Sequence, residues 1–273
     1  MKKMQLSILL KIIGIGSASG IVYQDDNLYI ISDSSTFLYQ YPLSTQVLNK
    51  IPLVKNPQEN IPKKDKLDFE AITLKGNKLH ILGSASTSNR TKTISYHLKS
   101  GKIKKRDLTD FYQTIKQKLS IDDDELNIEG VIFYNEELFL FQRGNGAKAK
   151  NGIIKVNDVD NLTIEFIPFN LTKLKNVEAT FTDAILVEDS IYFLASAEDT
   201  TSTYTDGEVL GSIIGKIDIK TMKVEYTEII SNSQKFEGVT LYRKSTDQME
   251  FLLCEDNDTE TLISTIYKLT LKN

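Results

Sequence analysis

One motif returns five times along this chain, and it limits the possible folds more than any other feature. In Glu129-Gly130-Val131-Ile132-Phe133 a polar residue, a small residue and a β-rich run lead into Leu138-Phe139-Leu140-Phe141. Glu70-Ala71-Ile72-Thr73-Leu74 leads likewise into Leu79-His80-Ile81-Leu82. Thr182-Asp183-Ala184-Ile185-Leu186 leads into Ile191-Tyr192-Phe193-Leu194, and Ser19-Gly20-Ile21-Val22-Tyr23 into Leu28-Tyr29-Ile30-Ile31. In these four copies the second apolar run starts nine positions after the first residue. The fifth copy, Glu237-Gly238-Val239-Thr240-Leu241, reaches Met249-Glu250-Phe251-Leu252 after a turn three residues longer. The leading residues are 51, 59, 53 and 55 positions apart.

Each copy continues through a polar turn such as Gln24-Asp25-Asp26-Asn27 into its second strand, then a polar loop and a third strand. The third strands are predicted at 36–41, 93–98, 152–156, 212–217 and 265–271, and fourth strands at 46–53, 102–108, 163–169 and 222–229. Four-stranded units of about 40–50 residues are propeller blades. The chain is therefore predicted to be all-β, a single five-bladed β-propeller spanning 1–273. Its blades fall at about 17–54, 67–108, 127–170, 180–230 and 235–273. The fifth unit has only three strands of its own. The strand-like segment 4–13 is expected to supply its outer strand and close the ring, which leaves no open seam. Between the second and third blades, apolar residues at 108, 111, 112, 115 and 119 have a helical period and predict a short packing helix over about 108–119.

In a propeller the innermost strands line the central channel, so equivalent repeat positions converge on the axis. Here those positions hold Ser19, Glu70, Glu129, Thr182 and Glu237. Three carboxylates confined together repel one another and lose hydration, so at least one takes up a proton unless a cation compensates. Calcium suits such a ring, because it accepts six to eight oxygen ligands in flexible geometry. Magnesium demands a strict octahedron and keeps its water. The alternative is a hydrated channel with partly protonated glutamates.

The order Ser, Glu, Glu, Thr, Glu resembles that of the calcium-activated nucleotidases (apyrases). The resemblance implies a five-bladed propeller with one central calcium held by glutamates from three blades and serine positions from two. Carried over by position, it implies Ser19, Glu70, Glu129, Thr182 and Glu237 as the calcium shell, with Thr182 standing where the family has serine. The starts Asp68-Phe69-Glu70-Ala71, Asn127-Ile128-Glu129-Gly130 and Lys235-Phe236-Glu237-Gly238 also resemble phytase-like and esterase-like bacterial propellers. They are similar, too, to a group of uncharacterised bacterial propellers of this size, where the chain fits best. The resemblance does not extend to the nucleotide-binding positions of the apyrases.

Fourteen positions after each leading residue stand Asp33, Ser84, Arg143 and Ser196, with Cys254 expected as the fifth after allowance for the longer turn. Their loops are predicted to surround the channel mouth. Arg143, Asp33, Asn145, Glu198 and Asp256 are the candidate ligand-binding residues there, with Lys148 beside Arg143. Loop tips are often polar only because they are wet, so Arg143 is the most specific of these. Gly14-Ile15-Gly16-Ser17-Ala18-Ser19-Gly20 has the wrong glycine spacing for a dinucleotide fingerprint and leads into a strand. Asp122-Asp123-Asp124-Glu125 and Asp256-Asn257-Asp258 lack the glycine and terminal glutamate of a calcium loop. The sequons at Asn89, Asn161, Asn170 and Asn257 are expected by chance in an Asn- and Thr-rich chain.

Composition narrows the function classes. A net charge of −4 gives no basic footprint of the kind nucleic acid requires. One cysteine, Cys254, excludes an internal disulfide, and two histidines are too few for a histidine-rich metal site. No stretch approaches the ~20 apolar residues of a membrane span, so no membrane partner is expected. Met1-Lys2-Lys3, an apolar run to Leu10 and Ser17-Ala18-Ser19 outline a short signal peptide. Lys11 interrupts that run, and the closing-strand role argues for retention. A cytoplasmic location is expected, with export as the alternative. Two functions remain. One is a calcium-binding scaffold that takes a small anionic ligand or a protein partner at the mouth. The other is a calcium-dependent hydrolase of phosphoester, phosphoanhydride or ester substrates.

Overall fold

The computed structural model describes residues 4–157, 162–205, 207–256 and 262–272. The sequons at Asn161 and Asn257, Met1-Lys2-Lys3 and the end of the acidic run at Asp258 lie outside them. Strand β1 (Met4–Ile13) comes first. Blade 1 holds β2 (Ala18–Gln24), β3 (Asn27–Ser32), β4 (Phe37–Pro42) and β5 (Asn49–Pro52). Blade 2 holds β6 (Phe69–Lys75), β7 (Lys78–Gly83), β8 (Lys92–His97) and β9 (Ile103–Asp107), and helix α1 (Thr109–Leu119) follows. Blade 3 holds β10 (Ile128–Tyr134), β11 (Glu137–Gln142), β12 (Gly152–Asn157) and β13 (Thr163–Pro168). A small hairpin, β14 (Lys173–Leu174) with β15 (Val177–Glu178), leads to blade 4. That blade holds β16 (Thr180–Val187), β17 (Ser190–Asp199), β18 (Glu208–Asp218) and β19 (Lys223–Ser231). Blade 5 holds β20 (Lys235–Lys244), β21 (Gln248–Asp256) and β22 (Ile263–Lys272). With β1 added to blade 5, each blade is a four-stranded antiparallel sheet, so the predicted five-bladed propeller is the fold.

Alternating apolar residues make each blade sticky on both faces, and every blade buries them against its neighbours. Five hydrophobic clusters result, one at each junction. At the junction of blades 3 and 4 the ring of Phe181 meets those of Phe141 and Phe193 edge-on, with centroids 5.3 and 5.1 Å away. Burying each such ring contributes roughly 1.5–3 kcal/mol. Helix α1 joins the junction of blades 2 and 3, where Tyr112 and Ile115 pack with Leu82, Val131 and Leu140. The Asp107 carboxylate accepts from the Thr109 N–H at the helix start, and Ser120, at φ 50°, ends the helix.

Strand β1 pairs antiparallel with β22, from Met4 opposite Leu271 to Ile13 opposite Ile263, and completes blade 5 as the sequence predicts. Ile12 is buried at the junction of blades 5 and 1, and Met4 and Leu6 pack at the junction of blades 4 and 5. Removal of residues 1–13 should therefore strip β22 of its partner and expose an apolar edge. The expected result is a chain that melts at least 10 °C lower, or aggregates on expression, as read by calorimetry and light scattering. A truncated chain that melts like the parent would refute closure by this strand.

Candidate functional site

In every blade the inner strand carries one residue too many at the leading position. The pairing register slips between Ala18 and Gly20, Phe69 and Ala71, and Ile128 and Gly130. It slips again between Phe181 and Asp183, and between Phe236 and Gly238. The skipped residues are Ser19, Glu70, Glu129, Thr182 and Glu237. A bulge bends its strand and re-aims the extra side chain, and bulges recur beside functional sites. Small residues follow in four blades because the inner strands nearly touch. A Cβ added at Gly238 would lie 2.5 Å from Cys254 Sγ and 2.9 Å from Gly20 Cα. In blade 4 the place is taken by Asp183, whose carboxylate accepts from Val239 N–H of blade 5 at 2.7 Å.

The five bulge residues divide by role. The hydroxyl of Ser19 donates to the Phe69 carbonyl at 2.6 Å, and that of Thr182 to the Phe236 carbonyl at 2.6 Å. Each therefore ties its blade to the next. The three glutamates instead line a cavity of about 70 Å³ at the channel mouth. Arg143 Nη1 donates to Glu129 at 3.2 Å, and its Nη2 to Glu198 at 2.5 Å. Lys235 Nζ lies 2.8 Å from Glu237 and 3.6 Å from both Glu198 and Asp256. Arg90 pairs with Asp68 at 2.8 Å, and Lys66 pairs with Asp33. Glu70 is left over. Its Oε2 is buried without a hydrogen-bond partner, as is Asp33 Oδ1. Ligand oxygens of Asp33, Asp68 and Glu70 all lie within 4.8 Å of one another.

Burial raises the Glu70 carboxyl well above the ordinary value, and Glu129, Asp68, Glu237 and Asp33 add repulsion. Burial also raises Glu129 and Glu237, but Arg143 and Lys235 pull them back toward ionisation. Asp33 and Asp68 are raised by burial and restrained by Lys66 and Arg90. Burial opposes the charge of Lys235, yet Glu237 and Asp256 hold its ammonium well above the usual range. Seven carboxyl groups and five basic side chains line the cavity. Fully ionised, the site is two positive charges short.

Asp33, Asn145, Glu198 and Asp256 all line the mouth as the sequence analysis expects, and Arg143 stands among them. The arginine is 4% exposed and spends its fork on two glutamates. Lys148 lies outside this cavity and pairs with Asp122. Cys254 is a correction: it faces Gly238 across the pair, and its thiol contacts the Ala18 carbonyl at 3.6 Å in the core. Asp256, opposite Lys235, occupies the fifth mouth position. Past a second bulge the hairpin runs on for two more pairs, Arg243 opposite Glu250 and Lys244 opposite Met249, so Phe251 rather than Met249 matches Leu28 and the count moves by two.

Lys66, Asp68, Arg90, Asn127 and Lys235 escaped the sequence analysis as site residues. Three of them carried a signal, since they stand two positions before a glutamate in Asp68-Phe69-Glu70, Asn127-Ile128-Glu129 and Lys235-Phe236-Glu237. Asn127 Nδ2 donates to Glu129 at 2.7 Å, so this outer position touches the ring directly.

The profile described as "Family of unknown function (DUF6929)" matches residues 14–271. No curated protein matches. Among solved structures, glutaminyl cyclase from Myxococcus xanthus is similar with a TM-score of 0.56 and 10% identity, over 98% of this chain and 96% of that one. A luciferin-regenerating enzyme has a TM-score of 0.51 and 12% identity, over 99% and 97%. The allergen Mala s 1 of Malassezia sympodialis has a TM-score of 0.50 and 9% identity, over 96% of each chain. At these identities the likeness is one of fold.

Proposed function

The chain belongs to this family of unknown function, and we propose that it is a calcium-binding propeller serving as a ligand-binding scaffold at its channel mouth. The observation that carries this reading is the pair of buried oxygens without partners, Glu70 Oε2 and Asp33 Oδ1, in a cavity short of positive charge. Asp33, Asp68 and Glu70 offer the hard oxygen donors that calcium prefers. The reading keeps the calcium expected from the sequence but assigns it to Asp33, Asp68 and Glu70 on one side of the ring, because Arg143 and Lys235 already pair with Glu129 and Glu237. Once bound, the ion supplies the missing charge and coordination positions for an oxygen-bearing ligand. Asn145, Ser202 and Thr205 at the rim would orient that ligand. Among the described residues no helix is long and apolar enough to cross a membrane.

Melting of metal-stripped protein tests this reading. Calcium, unlike magnesium, is expected to raise stability by about 2.7 kcal/mol at a hundredfold excess over Kd. The gain should vanish in Glu70→Gln and persist in Glu129→Gln. No calcium response in the parent protein would sink the proposal.

The second reading, a hydrolase, is favoured by the same Glu70: a carboxyl whose pKa burial raises well above the ordinary value, set in a polar cavity, is suited to general acid catalysis. Turnover of a phosphoester or ester that Glu70→Gln abolishes would select it. Absence of turnover across a panel with calcium would leave the scaffold.

A further inference from the structure

Lys66, Arg90, Arg143 and Lys235 at the channel mouth are committed to carboxylates, but another set of cations is not. On blade 2, cross-strand pairing aligns Thr73, His80, Ser95 and Lys104 in one row, with Leu82, Thr93 and Arg106 in the next on the same face. A cleft of about 180 Å³ there is lined by Lys78, His80, Thr93, Ser95, Lys104 and Arg106. No carboxylate lines it among the described residues, although the chain as a whole is acidic. Asp107, the acid of β9, belongs to the opposite face and is held by Lys92. None of the side chains of Lys78, Lys104 and Arg106 has a hydrogen bond or ion pair among the described residues. Like charges held together without a counter-charge repel one another, and an anion seated among them would relieve that repulsion.

We propose that this cleft binds a phosphate-type oxyanion. Arg106 presents a planar fork that matches two oxygens of such a group, and Lys78 and Lys104 supply compact charges to the rest. The Ser95 hydroxyl is a further donor, while Thr93 already donates to the Ile81 carbonyl at 2.9 Å. His80 sits at the cleft wall with its ring 5.0 Å from that of Phe133 on blade 3. Burial lowers its pKa, and Lys75, Lys78 and Arg106 lower it further. Lys75 itself lies over the Phe133 ring at 4.6 Å. An anion in the cleft offsets those charges, so its binding and protonation of His80 reinforce each other. The site is separate from the proposed calcium position and does not depend on it.

The chain has two histidines, and His97, whose Nδ1 accepts from Ser100 N–H, lies outside the cleft lining. It stands opposite Lys78, one row further out on the same face, and reports how far the effect of an anion extends. Imidazole resonances would be followed by NMR while inorganic phosphate is added at ionic strength held constant with chloride. The expected result is a saturable shift of His80 that exceeds that of His97, and a higher His80 pKa with phosphate present. The double variant Lys104→Gln, Arg106→Gln, on a strand exposed throughout, should bind at least tenfold more weakly while melting like the parent. A second arm mixes the protein with phosphatidylcholine vesicles, with and without phosphatidic acid. Response to inorganic phosphate without sedimentation assigns a soluble ligand. Sedimentation only with the acidic vesicles, lost in the double variant, assigns a lipid headgroup. Silence in both arms, or binding that the double variant leaves intact, overturns the proposal.

Discussion

Arg143→Met should lower the stability of this protein by about 3–5 kcal/mol, a large share of the 5–15 kcal/mol that typically holds a folded chain together. Methionine keeps much of the length and apolar contact of the arginine, so the change removes mainly the charge and its hydrogen bonds. Glu129 and Glu198 then remain buried, each without the guanidinium that now neutralises it. Lys235 cannot take over both, because Glu237 and Asp256 already share its ammonium. Urea unfolding of the two proteins at neutral pH measures the difference. A loss under 1 kcal/mol would mean that the glutamates accept protons at little cost, and that the ion pairs do not organise the channel.

Glu70→Gln should act in the opposite sense. In metal-free protein the folded-state pKa of Glu70 lies well above its ordinary value of 4.5. Folding therefore favours the protonated form. The associated stability is complete below the ordinary value and is lost as pH rises through the raised one, at up to about 1.4 kcal/mol per pH unit. Glutamine keeps the shape and carries no charge, so the variant should be the more stable of the two at alkaline pH, and its pH dependence should be shallower. Calcium reverses the sign for the parent protein, since it requires the ionised carboxylate and binds more tightly as pH rises. Urea midpoints of both proteins across a pH series, with calcium and with chelator, provide the check. Parallel curves in chelator would show that Glu70 is not the strained group.

Much of the fold was legible because a blade is a local object. The alternation in Leu138-Phe139-Leu140-Phe141 and the turns between paired strands are set within a few residues, and the repeat multiplies that signal five times. Helix α1 was visible for the same reason, from the spacing of Phe111, Tyr112, Ile115 and Leu119. The bulges were only half legible. A polar residue before a glycine marked the leading position, but the register slip that aims it depends on the partner strand. The miscount at Cys254 arises likewise from pairing, since the β20–β21 ladder runs two pairs further than the others past a second bulge, which sequence spacing alone could not read.

The sequence by itself determined five blades, the closing strand β1 and the identity of the residues that ring the channel, because each follows from periodicity along the chain. The tertiary structure alone decided how those charges are shared. Arg143 of blade 3 reaches Glu198 of blade 4, Lys235 of blade 5 reaches that same Glu198, and Lys66, just before blade 2, reaches Asp33 of blade 1. Such pairs join residues dozens of positions apart and exist only after neighbouring blades have packed together. Coulomb energy depends on distance in space and on exclusion of water, and neither quantity is written in spacing along a chain.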